Sequence, residues 1–246
     1  MDNKALADIF VEHNRILKSK KILYKTYLDW YQVFLDYVSP LEGKKIIELG
    51  SGGGVLKEIA PLVITTDVIP LPGCDLVCRA EKLPFENESV DAIFMLNTLH
   101  HIPDCNTFFK EAERALCNNG ILYITEPANT IFSRFIYKNF HHEPFDLLQQ
   151  DWIINSSNPL FDSNQALSWI IFHRDIDLFT SRFPKLSIEK KFCHTPLRYL
   201  LSGGYSVASF LPGWSYPLIV ALEWILKPLN RFTSLFETVI IRKVNC

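Results

Sequence analysis

Apolar residues recur at helical spacing through the first 38 positions: Ile9, Ile16 and Leu17, then Ile22, Leu23, Tyr27, Trp30, Tyr31, Phe34, Leu35 and Val38. The pattern predicts two helices, ended by Ser39, Pro40 and a turn at Gly43. From Lys44 the texture changes. Residues 45–49, 62–66, 75–78, 90–96 and 120–125 form short apolar runs that each stop at a turn, and a helix is expected over 106–117. Strands alternating with helices imply a parallel sheet covered on both faces, with right-handed crossovers. Ligands of such sheets sit beyond the carboxyl ends of the strands. After Pro127 the chain becomes irregular and aromatic-rich, through Phe140, Phe145, Trp152 and Phe161. A helix is then expected over 164–183 and strands over 186–193 and 238–244. About 40 helix-like apolar residues separate those last two strands, where a tight hairpin would have sufficed.

A chain of 246 residues, 48% hydrophobic and 21% charged, can bury one sizeable core, and nothing divides it in two. The expectation is one domain, 1–246: an N-terminal helical cap (1–40), a ligand-binding core (44–127), a lid and helix (128–185), and the last two strands with their apolar insertion (186–246). The net charge of -2 gives no field to hold a polyanion, so no nucleic acid is expected, and Lys18, Lys20, Lys21 and Lys25 read as a solvated helix face. Cys74, Cys78, Cys105, Cys117, Cys193 and Cys246 are scattered, without a CxxC pair or zinc-finger histidines, so they read as free thiols and no metal ligand is assigned. No apolar leader follows Met1, and the expectation is a cytoplasmic protein. The apolar run from Tyr216 to Leu226 is too short for the roughly 20 residues that span a bilayer. The segment 207–231, with Lys227 and Arg231 beside its tryptophans, suits peripheral membrane contact on the inner face, a subunit interface, or a lid over an apolar pocket.

The strongest local chemistry is Glu48-Leu49-Gly50-Ser51-Gly52-Gly53-Gly54, at the end of the first strand. Four glycines in five positions allow a sharp bend and close approach of a ligand to the main chain. Dinucleotide-binding loops place glycines at relative positions one, three and six, and the sixth here is Val55. Glu48 would repel a pyrophosphate but would pair with an ammonium. The turn into the next helix offers amides to a carboxylate. A ligand with both charges is an amino acid, such as the methionine half of S-adenosylmethionine. Asp67 ends the second strand, where a carboxylate can accept both hydroxyls of a ribose.

The stretches ELGSGGG, TTDV, AEKLPFENESVDAIFMLNTLHHI and ALCNNGILYITEP, in that order, resemble the class I S-adenosylmethionine-dependent methyltransferases, especially the broad type 11-like group that includes ubiquinone-type enzymes. The resemblance covers roughly residues 45–127. It implies an α/β, Rossmann-like, doubly wound sheet of seven strands, the last antiparallel, with N-terminal helices and a helical insertion between the last two strands. It also implies S-adenosyl-L-methionine as co-substrate. Carried over position by position, Glu48, Gly50, Ser51 and Gly52 hold the methionine end, Asp67 the ribose, Ala80 and Glu81 the adenine edge, and Asn97 the floor below the sulfonium. One departure is Arg79, where the group commonly has an acid that accepts from the adenine amino group; an arginine cannot accept.

Candidate bases follow the fourth strand, where one of His100 and His101 is expected to face the pocket, with His101 assigned. The irregular segment after the fifth strand holds His141, His142 and Glu143, and His142 with Glu143 would make a base and its orienter. His173 lies further on, beside Arg174 and Asp175, which are expected to form a structural ion pair. Tyr199, Ser202, Gly203 and Gly204 follow the sixth strand, where two adjacent glycines would allow close approach of an acceptor and a helix C-cap explains them as well. Trp30 and Tyr31 are candidates to close over the cofactor. HHEPF, SNQALSWIIFHRD and RYLLSGG more weakly resemble methyltransferases of bacterial surface-polysaccharide assembly. That resemblance implies a small-molecule or lipid-linked acceptor, first of all a sugar or glycan hydroxyl. A quinone or lipid ring, a nitrogen nucleophile, and a noncatalytic binding module are the alternatives.

Overall fold

The computed structural model describes residues 3–141, 143–154 and 162–245. Two helices open it, α1 (Asn3–Ser19) and α2 (Lys21–Val38). The core then alternates β1 (Ile46–Leu49), α3 (Val55–Ile59), β2 (Ile64–Asp67), β3 (Leu76–Val77), β4 (Val90–Leu96), α4 (Cys105–Ala115) and β5 (Leu116–Pro127). After β5 come α5 (Ile131–Phe140), α6 (Leu167–Trp169), α7 (Ile176–Arg182), β6 (Leu186–His194), α8 (Arg198–Leu201), α9 (Tyr216–Leu226), α10 (Asn230–Thr233) and β7 (Phe236–Lys243).

The seven strands form one sheet in the order β3-β2-β1-β4-β5-β7-β6. β1 to β5 pair in parallel, and β7 lies antiparallel between β5 and β6. This is the expected doubly wound sheet with its last strand reversed. The order turns at β1 and β4, so the carboxyl ends of these strands flank the crevice where such sheets bind ligands.

The strands are short because they are buried on both faces: β1 is buried throughout and β4 at all positions but Asp91. On one face α2 sets Phe34 flat on Phe94, with ring centroids 4.2 Å apart, and edge-on to Tyr123. α4 begins at Asp104, which accepts from the Asn106 and Thr107 N–H groups. α5 begins with a reciprocal cap between Thr130 and Ser133.

The single helix expected over 164–183 is interrupted. α6 runs into a π-helical turn at Ile170–Arg174, where the Asp175 N–H reaches back to the Ile170 carbonyl. Asp175 leaves the helical path and accepts from Trp152 Nε1 while pairing with Arg174. That tertiary bond to the preceding loop breaks the continuous helix which periodicity favours. Between β6 and β7, α9 turns Tyr216, Ile219 and Glu223 inward; Tyr216 and Ile219 pack on Ile22, Leu197 and Leu201.

Candidate active site

β1 and β2 pair with Glu48 opposite Thr65 and Leu49 opposite Thr66, so their carboxyl ends put Glu48 and Asp67 on one sheet edge. Between them the backbone takes positive φ at Gly50 (+71°), Gly52 (+49°) and Gly54 (+71°). A Cβ at position 50 would come within 2.5 Å of the Thr98 side chain, whereas one at position 52 would meet only the Phe10 ring at 3.8 Å. The bend therefore presses on β4's end and leaves room above Gly52. Asp67 fixes it: Oδ2 accepts from the Gly52 N–H at 3.0 Å and Oδ1 from the Val68 N–H at 2.8 Å.

Burial pushes the Asp67 carboxyl above its usual range, against the pull of those amides. Glu48 is pushed up much further by burial, opposed by the Tyr31 hydroxyl and aided by the charge on Asp67. Its Oε2 has no hydrogen-bond partner among the described residues, and neither have the Ser51 Oγ and Asn97 Oδ1, all three buried. Unpartnered buried polar atoms are costly. Glu48 and Ser51 flank the bend and Asn97 follows the neighbouring β4, a set whose chemistry fits the ammonium and polar groups of an amino-acid ligand, although of the three only Asn97 lines the cleft beside the bend.

The cleft beside the bend holds about 160 Å³ and is lined by Gly50, Asp67, Ala80, Glu81, Asn97 and His101, with Phe10 of α1 over it. Asn97 reaches this position through a positive φ of 52°, its N–H bound to the Thr125 carbonyl at 2.9 Å. Arg79 also lines the cleft and pairs with Glu81 at 2.9 Å, so the acid at the adenine edge is already engaged by the arginine beside it. α1 contributes more than the sequence suggested: Asn14 Nδ2 donates to the Gly53 carbonyl at 2.6 Å. Trp30, by contrast, points away. It donates to Thr195, stacks with Tyr199 and packs at a tilt on Phe236, while Tyr31 reaches Glu48. Helical spacing identified their buried face but not what that face packs on.

The opposite wall is built on Glu126, fully buried at the end of β5. Its Oε1 accepts the Thr98 and Leu99 N–H groups, each at 2.7 Å, and its Oε2 binds His100 Nδ1. The other face of that ring meets Glu143, with Nε2 3.3 Å from Oε2. Burial opposes charge on His100, but the two carboxylates outweigh it and hold its pKa up to about 10. Glu143, which burial would raise, is instead held far below the usual carboxylate range by His100, with His101 and His141 adding to the effect. His101 Nε2 stands 3.9 Å from Glu143 Oε1 and lines the cleft. Gln165 steadies the lid segment, donating to Glu143 at 3.2 Å and contacting His141 at 2.9 Å.

Thus the structure brings together His101 and Glu143, far apart in sequence, and adds His100 and Glu126. His142 lies outside the described residues. His173 pairs with Glu237 at 2.9 Å, away from the cleft, and Arg174 with Asp175 forms the expected structural ion pair. Gly203 ends α8 with a positive φ of 72°, as a C-cap does. Ligand atoms of His100, His101 and Glu143 lie within 4.8 Å of one another, close enough for one cation to touch all three.

A larger cleft of about 360 Å³ lies under α2, lined by residues including Trp30, Tyr123, His194 and Arg198. Its polar atoms are consumed internally: His194 bonds Thr195 at 2.8 Å and Thr238 at 2.9 Å, and burial drives its pKa down to about 3, leaving the ring neutral. It shares no residue with the glycine bend or the acid pair. Of the candidate site residues, Gly50, Asp67, Ala80, Glu81, Asn97 and His101 line the smaller cleft.

A methyltransferase-domain family model matches residues 48–124. Over 114 residues the chain is 28% identical to the ubiquinone biosynthesis O-methyltransferase of Azorhizobium caulinodans, a stretch that is 38% of this chain and 44% of that protein. The match therefore spans less than half of the relative's length. The geranyl diphosphate C-methyltransferase of Streptomyces coelicolor, solved with Mg2+, geranyl diphosphate and S-adenosyl-L-homocysteine, superposes with a TM-score of 0.53 at 14% identity, covering 90% of this chain and 79% of that one. A putative methyltransferase of Haloferax volcanii, solved with a methyltransferase activator, gives a TM-score of 0.54 at 12% identity over 97% and 96% of the two chains. At these identities the likeness to solved structures is one of fold. The family match shows a methyltransferase domain over residues 48–124, and the whole chain, with its reversed last strand and acid-flanked glycine bend, is similar in fold to class I S-adenosylmethionine-dependent methyltransferases.

Proposed function

We propose that the chain transfers a methyl group from S-adenosyl-L-methionine to a hydroxyl of a small-molecule acceptor, a sugar or a lipid-linked glycan intermediate. Bound at the glycine bend, S-adenosylmethionine supplies a methyl group on a sulfonium that leaves without protonation. Glu48, with Gly50, Ser51 and Gly52, would hold the methionine end, Asp67 the ribose, Ala80 and Glu81 the adenine edge, and Asn97 the floor of the cleft. The unpartnered Glu48, Ser51 and Asn97 atoms support that assignment.

The observation that carries the hydroxyl reading is the His101–Glu143 pair on the wall facing this cleft. A hydroxyl is a poor nucleophile until its proton has somewhere to go, and a positioned base adds about 10²- to 10⁴-fold. His100 cannot serve, because it already carries its proton up to a pH of about 10. His101 takes the proton, and the Glu143 carboxylate stabilises the imidazolium that results. His142 belongs to the same lid segment and is the second candidate acceptor contact. The name of the Azorhizobium relative, an O-methyltransferase, supports an oxygen acceptor.

His101→Ala should lower turnover about 10²- to 10⁴-fold, read by mass spectrometry with a deuterated methyl donor, and leave the calorimetric Kd for S-adenosylmethionine unchanged. Unchanged turnover, or label found on nitrogen or carbon, overturns the assignment. A second reading, a noncatalytic module, draws on the Arg79–Glu81 pair at the adenine edge. Absence of binding heat at millimolar S-adenosylmethionine would favour it.

A further inference from the structure

α9 is apolar all round, and helices of that kind are normally buried. Here only one side is covered. Tyr216, Ile219 and Glu223 face the protein, while Leu218, Leu222 and Ile225, at spacings of four and three, face outward with Trp224. Trp214, Trp224 and Ile225 are 73%, 75% and 65% exposed. Leu229 and Phe232 continue the apolar surface to α10, which contacts α5. α5 adds Ile131, Phe135 and Phe140, also exposed. Hydrogen bonds lock the junction: Thr130 Oγ1 donates to the Ser234 carbonyl at 2.8 Å, and the Ala128 N–H to the Leu235 carbonyl at 2.8 Å.

The charges on this surface have one sign. Segments 128–140 and 207–233 contain five charged residues, and the four exposed ones are cations: Arg134, Lys138, Lys227 and Arg231. The fifth, Glu223, is buried and paired with Arg198 at 2.6 Å. Arg231 lies over the Phe232 ring at 4.5 Å, its charge carried on an apolar base. Indole rings and aliphatic side chains interleaved with cations match the boundary of an anionic bilayer.

We infer that α5, α9 and α10 together dock on an anionic lipid surface. No described helix is long and apolar enough to cross a membrane, so the contact is peripheral. α5 follows directly on the end of β5 that carries Glu126, the residue that holds His100, so a bilayer under it lies beside the acceptor wall. This rests on the proposed hydroxyl transfer in one respect: it makes the acceptor lipid-borne.

The test is sedimentation of the full chain with sucrose-loaded vesicles of phosphatidylcholine, with and without a third of phosphatidylglycerol, in the absence of acceptor and cofactor. Binding should require phosphatidylglycerol and weaken at high salt. Lys227→Ala with Arg231→Ala should reduce partitioning roughly 25-fold, about fivefold for each cation. Trp224→Ser with Ile225→Ser, both exposed, should reduce it by about tenfold or more while calorimetry with S-adenosylmethionine is unchanged. Failure to sediment with either vesicle, equal binding to both, or apolar variants that bind as the parent does overturns the inference. So does a dimer in sedimentation velocity that the Trp224→Ser, Ile225→Ser variant converts to monomer without changing vesicle binding. Because no methyl transfer is measured, failure here leaves the hydroxyl reading standing, and loss of transfer with vesicle binding intact leaves the docking standing.

Discussion

Replacing Glu126 by glutamine isolates the charge that holds the acceptor wall. Its shape and its acceptor oxygen for the Thr98 and Leu99 N–H groups are retained, but the atom facing His100 becomes an NH2 donor. His100 must then give up its Nδ1 proton to accept from the amide, keeping only Nε2–H for Glu143. One charge-assisted hydrogen bond becomes neutral, at a cost of about 1.5–3 kcal/mol. Were the ring to stay charged without its partner, the cost would approach the roughly 3–5 kcal/mol of a broken buried pair. In a domain of this size, about 3 kcal/mol lowers Tm by roughly 6–12 °C.

The pH dependence separates this from a packing defect. In the folded state the His100 pKa is raised from 6.5 to about 10. Its contribution is therefore fully present below pH 6.5 and is lost as the pH rises through about 10. The stability gap between parent and Glu126→Gln, from urea unfolding at intervals from pH 6 to 10.5, should be widest at the acid end and narrow toward the alkaline end. Other groups that titrate in that window are common to both proteins and cancel. A gap constant across the range would mean that His100 is not held charged, and the account of the wall would fail.

Asp67→Ala should weaken S-adenosylmethionine binding between about 10- and 100-fold by calorimetry, since the carboxylate fixes the Gly52 amide and, on the proposed reading, would meet the ribose; a Kd within twofold of the parent would remove it from the site. The glycine bend divides by stability: both positions have positive φ, but Gly50→Ala adds a clash with Thr98 whereas the Cβ of Gly52→Ala meets only the Phe10 ring at 3.8 Å, so Gly50→Ala should lose more Tm and equal losses would contradict the geometry. Chelation should leave turnover unchanged, because the His100 imidazolium already balances charge between two carboxylates; loss restored by a divalent cation would assign the His100, His101 and Glu143 cluster to a metal instead.

The parts of the molecule legible in the sequence are those fixed by local pattern. Val90–Leu96 has the predicted bounds because both faces of β4 are buried and a turn follows at once. Glu48, the glycines and Asp67 could be read because two adjacent parallel strands end at one edge, so spacing along the chain becomes proximity in space. Glu126 offered no such cue. An acid at the end of a strand reads as a turn residue until β5 is set beside β4, and only then do the Thr98 and Leu99 amides turn toward it. Sequence pairs Glu143 with His142, its neighbour along the chain, whereas the structure sets it against His100 and His101 on another loop. The interruption at Asp175 was invisible for the same reason, since its partner Trp152 lies in the preceding loop.

The two walls of the cleft are built on different principles, and that difference bears on how the site works. The wall at the glycine bend is held through main-chain groups: the Gly52 amide on the Asp67 carboxylate, the Ser51 N–H on the Thr66 carbonyl, and the Asn97 N–H on the Thr125 carbonyl. Such a wall has its backbone in place before a ligand satisfies the Glu48, Ser51 and Asn97 side chains, and costs little reorganisation on binding. On the acceptor wall, Glu143 meets the core through the ring of His100, which Glu126 holds from beneath. In-line methyl transfer depends on alignment more than on acid–base power, and good alignment supplies about 7–11 kcal/mol of the barrier. The chain spends its buried charges accordingly: Glu126 and Glu143 hold the His100 ring between them, and that fixes the carboxylate which His101, the proposed base, faces at 3.9 Å.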